Sequence, residues 1–139
     1  MRGKVLGAVA AGGGLGALAR YELAFHLAPV TPPAFPWVTL SINVAGAFLL
    51  GALMTLVLEV WPPTRYVRPF FGIGVLGGFT TWSTFQVESA KLLGAHEAGT
   101  ALLYMGSSLA LGMMAVAAGA ALAFALSRPR GAAHSGGER

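Results

Sequence analysis

Asn43 lies about six residues into an apolar stretch, and Thr39, Asn43 and Gly46 recur at i, i+4 and i+7, one face of a helix. An amide at that depth is either a hydrogen-bonded link between helices or a group that meets a ligand. A second cluster is denser: Gly77-Gly78-Phe79-Thr80-Thr81-Trp82-Ser83-Thr84-Phe85 joins a glycine pair to four hydroxyl residues inside another apolar stretch. So much weak helix former in one place predicts a helix broken at the glycines. The carbonyls freed from its first half suit a cation, and the amides freed from its second half suit an anion. Trp82 and Phe85 share a face three residues apart, as core packing or as electropositive ring edges toward an anion. Tyr104 and Ser108 stand at i, i+4 in the last apolar stretch, with Gly112, Ala115 and Gly119 continuing that side. Arg20 and Glu88 each fall a turn or two inside the end of a stretch, placed to pair or to snorkel to headgroups.

Much other chemistry is missing. The 139 residues contain no Cys and no Asp, so thiol nucleophiles, disulfides and Cys-ligated metals are excluded. His26, His96 and His134 are scattered, and the five Glu include no helix-neighbour pair in mid-stretch. An enzyme is not expected.

The elements that position these residues belong in a bilayer. Charged residues make up 10% of the chain, against about 25% in an ordinary soluble domain, so a soluble fold would leave a large apolar surface bare. Four spans are predicted, at about 5–27, 37–60, 69–93 and 98–126, giving an all-α channel-sized domain over 1–127 and a flexible basic tail over 128–139. Basic residues before an apolar run ending Ala17-Leu18-Ala19 resemble a signal peptide, but Gly12-Gly13-Gly14 and Gly16 suit close helix packing better. Pro29, Pro32, Pro33 and Pro36 separate the first two spans, and Trp37 and Trp61 sit as interfacial anchors at the ends of the second. Arg2, Lys4, Arg65, Arg68, Arg128, Arg130 and Arg139 lie on the side of the termini, and only Arg20 and Lys91 on the other. The positive-inside rule then puts both termini in the cytoplasm.

Taken with Gly13-Gly14-Leu15-Gly16-Ala17-Leu18-Ala19-Arg20-Tyr21 and Asn43-Val44-Ala45-Gly46, the Gly77–Phe85 motif resembles the Fluc (CrcB-type) fluoride channel family over the whole chain except the tail. The resemblance implies an antiparallel dimer of four-helix subunits in the inner (plasma) membrane, with two fluoride pores at the interface. It implies that Asn43 donates to fluoride, that Trp82 and Phe85 present ring edges to it, and that Tyr104 and Ser108 line the same route. Thr81, Ser83 and Thr84 would supply hydroxyls, and Arg20 would sit near a vestibule. The backbone carbonyls of Gly77 and Thr80 would hold a structural sodium ion at the dimer centre. Two departures stand out. Trp82 occupies a position where the family usually has Phe; its indole keeps an electropositive edge and adds an N–H donor, with a bulk that would narrow the pore. The strong basic bias points to fixed topology and a heterodimer with a paralogue, whereas the otherwise complete pore positions favour a homodimer of oppositely oriented copies.

The activity expected is passive, fluoride-selective export that protects the cytoplasm. Neutral donors must replace the tightly held water of fluoride without trapping the ion. The rival is a proton-coupled exporter of the small multidrug-resistance type, which needs a titratable carboxylate at membrane depth. Glu22, Glu59, Glu88 and Glu97 all read as lying near span ends.

Overall fold

A computed structural model describes residues 2–27, 34–60 and 65–127. The proline-rich residues 28–33, the Trp61-Pro62-Pro63 stop and the basic tail fall outside them. Four helical segments appear, and no strand is present among the described residues. α1 covers Arg2–Leu27. α2 covers Trp37–Thr55 and continues as a wide π-helical segment, π1, over Leu56–Val60. The third segment is composite: a π-helical stretch π2, Arg68–Leu76, then one helical turn α3, Gly77–Phe79, and α4, Trp82–Gly94. α5 is the longest, Ala98–Ser127.

Trp37–Glu59 and Ala98–Ser127 are each long and apolar enough to cross a membrane. The other two segments are diluted for visible reasons: α1 carries many glycines and charges toward both ends, and the third is interrupted. Large apolar side chains point outward on every long helix, including Leu6, Leu15, Phe25, Leu102, Met113 and Leu126. The interior holds glycines, Thr39, Ser89 and Tyr104 beside a small set of buried apolar residues such as Leu40, Phe85 and Leu92. That inside-out distribution suits a lipid solvent, because lipid tails give helices no hydrophobic reason to associate and packing and polar links must hold them.

Glycine supplies the packing. α1 lies against π2 and α3 backbone to backbone: a Cβ on Gly12 would strike the Phe70 carbonyl, one on Gly16 the Val75 carbonyl, and one on Gly78 the Gly13 carbonyl. Contacts advance along both chains in the same direction, so α1 and the third segment run parallel. α2 crosses α5 by the same means, with Gly51 against Val116 and Gly119 against Phe48. α4 joins this second pair through a small core of Leu40, Phe85, Leu92, Ala101 and Tyr104.

The interruption in the third segment is displaced from where the glycines predict it. Gly77 is helical, φ −67° and ψ −32°, whereas Thr80 (φ −76°, ψ 155°) and Thr81 (φ −143°, ψ 117°) are extended. Glycine freedom is not needed at 77–78. Gly78 is small so that α1 can approach, and two β-branched threonines, which suit extended backbone, take the non-helical positions. Thr81 then caps α4, its Oγ1 accepting from the Thr84 N–H at 3.1 Å.

α4 ends in a left-handed residue, His96 (φ 61°), where glycine is usual. The Glu97 N–H reaches the Leu92 carbonyl at 2.9 Å and the His96 N–H the Leu93 carbonyl at 3.1 Å, which closes the helix and turns the chain into α5.

Candidate functional site

An interrupted helix leaves backbone groups without their i, i+4 partners, and each needs another. Two side chains from other helices meet that need. Asn43 of α2 donates from Nδ2 to the Thr81 carbonyl at 3.0 Å and accepts the Thr81 N–H on Oδ1 at 2.8 Å. Arg20 of α1 donates from Nε to the Gly78 carbonyl at 3.1 Å. Within the segment, the Thr80 N–H and hydroxyl both donate to the Leu76 carbonyl, each at 2.9 Å. The Thr81 hydroxyl donates to Thr84 Oγ1 at 2.9 Å and lies 3.3 Å from Ser83 Oγ. Gly46 faces the Thr80 methyl, so the Thr39-Asn43-Gly46 face of α2 lies against the interruption.

Beside the interruption runs an open groove of about 360 Å³. Asn43, Gly77, Thr80, Thr81, Trp82, Phe85 and Ser108 line it, with Leu50, Leu76, Leu109 and Val116 supplying apolar wall. Seven of the residues singled out in the sequence are thereby brought to one place. Ser108 Oγ is buried with no hydrogen-bond partner among the described residues. Trp82 is 66% exposed, with its ring 5.0 Å from that of Phe85 and tilted 34°. Phe85 is buried and lies 5.2 Å from the Tyr104 ring.

Four of the expected residues fall outside the groove lining: Arg20, Ser83, Thr84 and Tyr104. Thr84 and Ser83 belong to the α4 cap described above. Tyr104 is 0% exposed, and its hydroxyl donates to Glu88 Oε2 at 2.7 Å. The Thr39 hydroxyl donates to the other carboxylate oxygen, Oε1, at 2.8 Å. Sequence reasoning did not find this Thr39–Glu88–Tyr104 link. It left Arg20 and Glu88 to pair or to snorkel to headgroups; Arg20 goes to the Gly78 carbonyl and the pairing is not made. The signal was present in helical spacing: Glu88 follows Phe85 by three residues, on the α4 stripe that faces α5.

The donor set is neutral. Asn43, Ser108 and Trp82, which carry N–H or O–H groups, line the groove, and Arg20 lies outside the lining and donates to the Gly78 carbonyl. A small anion can be held by such donors without meeting a fixed positive charge. For a cation the groove offers backbone oxygen: among the described residues no cluster of three His, Asp or Glu could bind a metal. Gly77 and Thr80 line the groove on the C-terminal end of the first half-segment, where carbonyls lose their helical partners.

Known proteins are similar to this chain over most of its length. The family described as CrcB-like protein, Camphor Resistance (CrcB), matches residues 7–120. A "Fluoride-specific ion channel FluC 3" of Streptomyces avermitilis is 48% identical over 122 residues, 88% of this chain and 59% of that protein. The "FluC 2" of the same organism is 49% identical over 76% of this chain and 66% of its own length. The chain thus spans under two thirds of the length of these two relatives. It spans 94% of a "Fluoride-specific ion channel FluC" of Rhodospirillum centenum, at 44% identity over 119 residues. With the match covering more than half its residues, the chain belongs to the CrcB-like family of membrane proteins.

Proposed function

We propose that this chain is a subunit of a fluoride-selective channel that lets cytoplasmic fluoride leave passively and so protects the cell. The observation that carries the reading is the groove beside the interrupted helix. There Asn43, Trp82, Phe85 and Ser108 converge in a chain whose relatives are named fluoride-specific ion channels.

Fluoride enters such a path only if donors replace its water. One Asn43 N–H is held by Thr81, which fixes the amide plane and leaves its second N–H for the ion. Ser108 has an unspent hydroxyl, and the Phe85 ring supplies an electropositive edge. Thr81, Ser83 and Thr84 order the α4 N-terminus, whose amides favour negative charge. Tyr104 supports Phe85 from behind, and Arg20 holds the interruption in shape while adding positive potential at its outer side.

The groove is open along one side, and an apolar Trp82 stands on its rim. A second copy in opposite orientation would close it, giving an antiparallel homodimer with two pores in the inner (plasma) membrane and multiple spans per subunit; a paralogue in that place is the alternative. The helix is then broken at mid-membrane. At the dimer centre the Gly77 and Thr80 carbonyls would hold sodium, which would supply a fixed charge tying the two interruptions together; hard oxygen donors fit that ion.

Fluoride efflux from proteoliposomes tests the reading. Wild type is expected to release fluoride down its gradient, and Asn43→Ala and Phe85→Ile to release it at least tenfold more slowly; unimpaired efflux in both variants removes the pore assignment. The proton-coupled exporter draws support from one observation, the half-buried Glu88 with both carboxylate oxygens hydrogen-bonded. Transport that requires a pH gradient rather than a fluoride gradient would favour it.

A further inference from the structure

The groove lining includes Trp82, whose indole Nε1–H has no partner among the described residues. Trp82 stands at the first position of α4. The ring is not free to turn at will, because its tilted stacking on Phe85 at 5.0 Å sets the plane of the indole. Phe85 in turn is buried against Tyr104. Trp82 therefore brings an unpartnered donor to a groove whose lining also includes Ser108, with its unpartnered hydroxyl, and Asn43, whose second N–H is not used by Thr81.

Those three donors differ in what they discriminate. A serine hydroxyl rotates and can offer either its hydrogen or its lone pairs. The Asn43 amide carries an oxygen beside its nitrogen, although Thr81 occupies it. An indole N–H only donates, so it favours an anion and gives nothing to a cation or to a group that must itself donate. A hydrogen bond to a charged acceptor is stronger than the weak contact of a ring edge, and it is strongest for the smallest and most concentrated charge.

We propose that Trp82 is a specificity-determining donor whose indole N–H hydrogen-bonds directly to the permeating fluoride ion, beside Ser108 and Asn43. This rests on the fluoride-channel reading and adds a ligand to it. It also makes Trp82 an acceptor-free filter that rewards small anions and leaves larger ones with a longer, weaker contact.

The chain contains three tryptophans, Trp37, Trp61 and Trp82, so 15N-indole labelling of the intact protein gives three N–H signals. Trp37→Phe and Trp61→Phe assign them by elimination, which leaves the assignment independent of whether a Trp82 variant folds. On titration with sodium fluoride, against sodium chloride at equal ionic strength, the Trp82 signal is expected to move saturably and the other two to stay. Chloride should move none of them. In efflux measurements Trp82→Phe keeps a ring and loses the donor, and the half-saturating fluoride concentration should rise roughly tenfold. A stationary Trp82 signal in a preparation that does pass fluoride overturns this assignment and leaves the channel reading standing. A preparation that passes no fluoride overturns both.

Discussion

Asn43 and Thr81, thirty-eight positions apart, exchange two hydrogen bonds, so that a side-chain amide takes the place of the helical neighbour that Thr81 lacks. The pair joins α2 to the interruption of the third segment through a flat, two-point contact, which fixes both distance and orientation. One N–H of Asn43 is not used by that contact, and Asn43 lines the groove. A single amide thereby holds the interruption against α2.

Replacing that amide with an acceptor-only group separates its two tasks from mere size. Asn43→Asp keeps the oxygen facing the Thr81 N–H but sets a second oxygen against the Thr81 carbonyl. The loss is expected at about 1–3 kcal/mol of stability, since a buried acceptor loses its donor. Denaturation midpoints in detergent check it, and efflux from proteoliposomes should fall with them. Full stability in Asn43→Asp would mean that the two-point contact does not form in the membrane.

Glu88 of α4 should be coupled to Tyr104 of α5. Tyr104→Phe removes the donor to Oε2 and leaves the ring packing against Phe85 intact, at an expected cost of about 1.5–3 kcal/mol for a hydrogen bond to a charged group. Glu88→Gln keeps one acceptor and should cost less. In a double-mutant cycle, the pair is expected to show a coupling of about 1 kcal/mol or more. Additive losses would show that the 2.7 Å contact contributes nothing measurable.

Glycines of similar sequence context should respond oppositely to one added methyl. Gly78→Ala drives a Cβ into the Gly13 carbonyl and backbone near Ala17, where neither side can yield without separating α1 from α3. Gly14→Ala meets nothing within 4 Å. The first is expected to cost about 1–3 kcal/mol or prevent recovery of folded protein, and the second to be neutral or slightly stabilising. Size-exclusion profiles and thermal melts of the two variants distinguish them directly.

The apolar stretches and the hydroxyl cluster were legible from the chain alone because they are local: composition and spacing within about twenty residues decide whether a segment suits a bilayer and whether it can stay helical. The presence of an interruption between residues 77 and 82 was legible for that reason. Its position was not. Gly77-Gly78 and Thr80-Thr81 both disfavour the helix, and what separates them is that α1 presses on Gly78 from outside.

The partners of the polar residues belonged wholly to the tertiary structure. Arg20 had Glu88 and the headgroups as plausible partners, and it takes the Gly78 carbonyl, fifty-eight residues away. Glu88 goes instead to Thr39 and Tyr104. Sequence determines which groups need a partner in a low-dielectric medium; which partner each one reaches depends on how closely helices approach. Here that approach is set by glycines at Gly12, Gly16, Gly51, Gly78 and Gly119, whose missing side chains let backbones touch and bring distant polar atoms within 3 Å or so of one another.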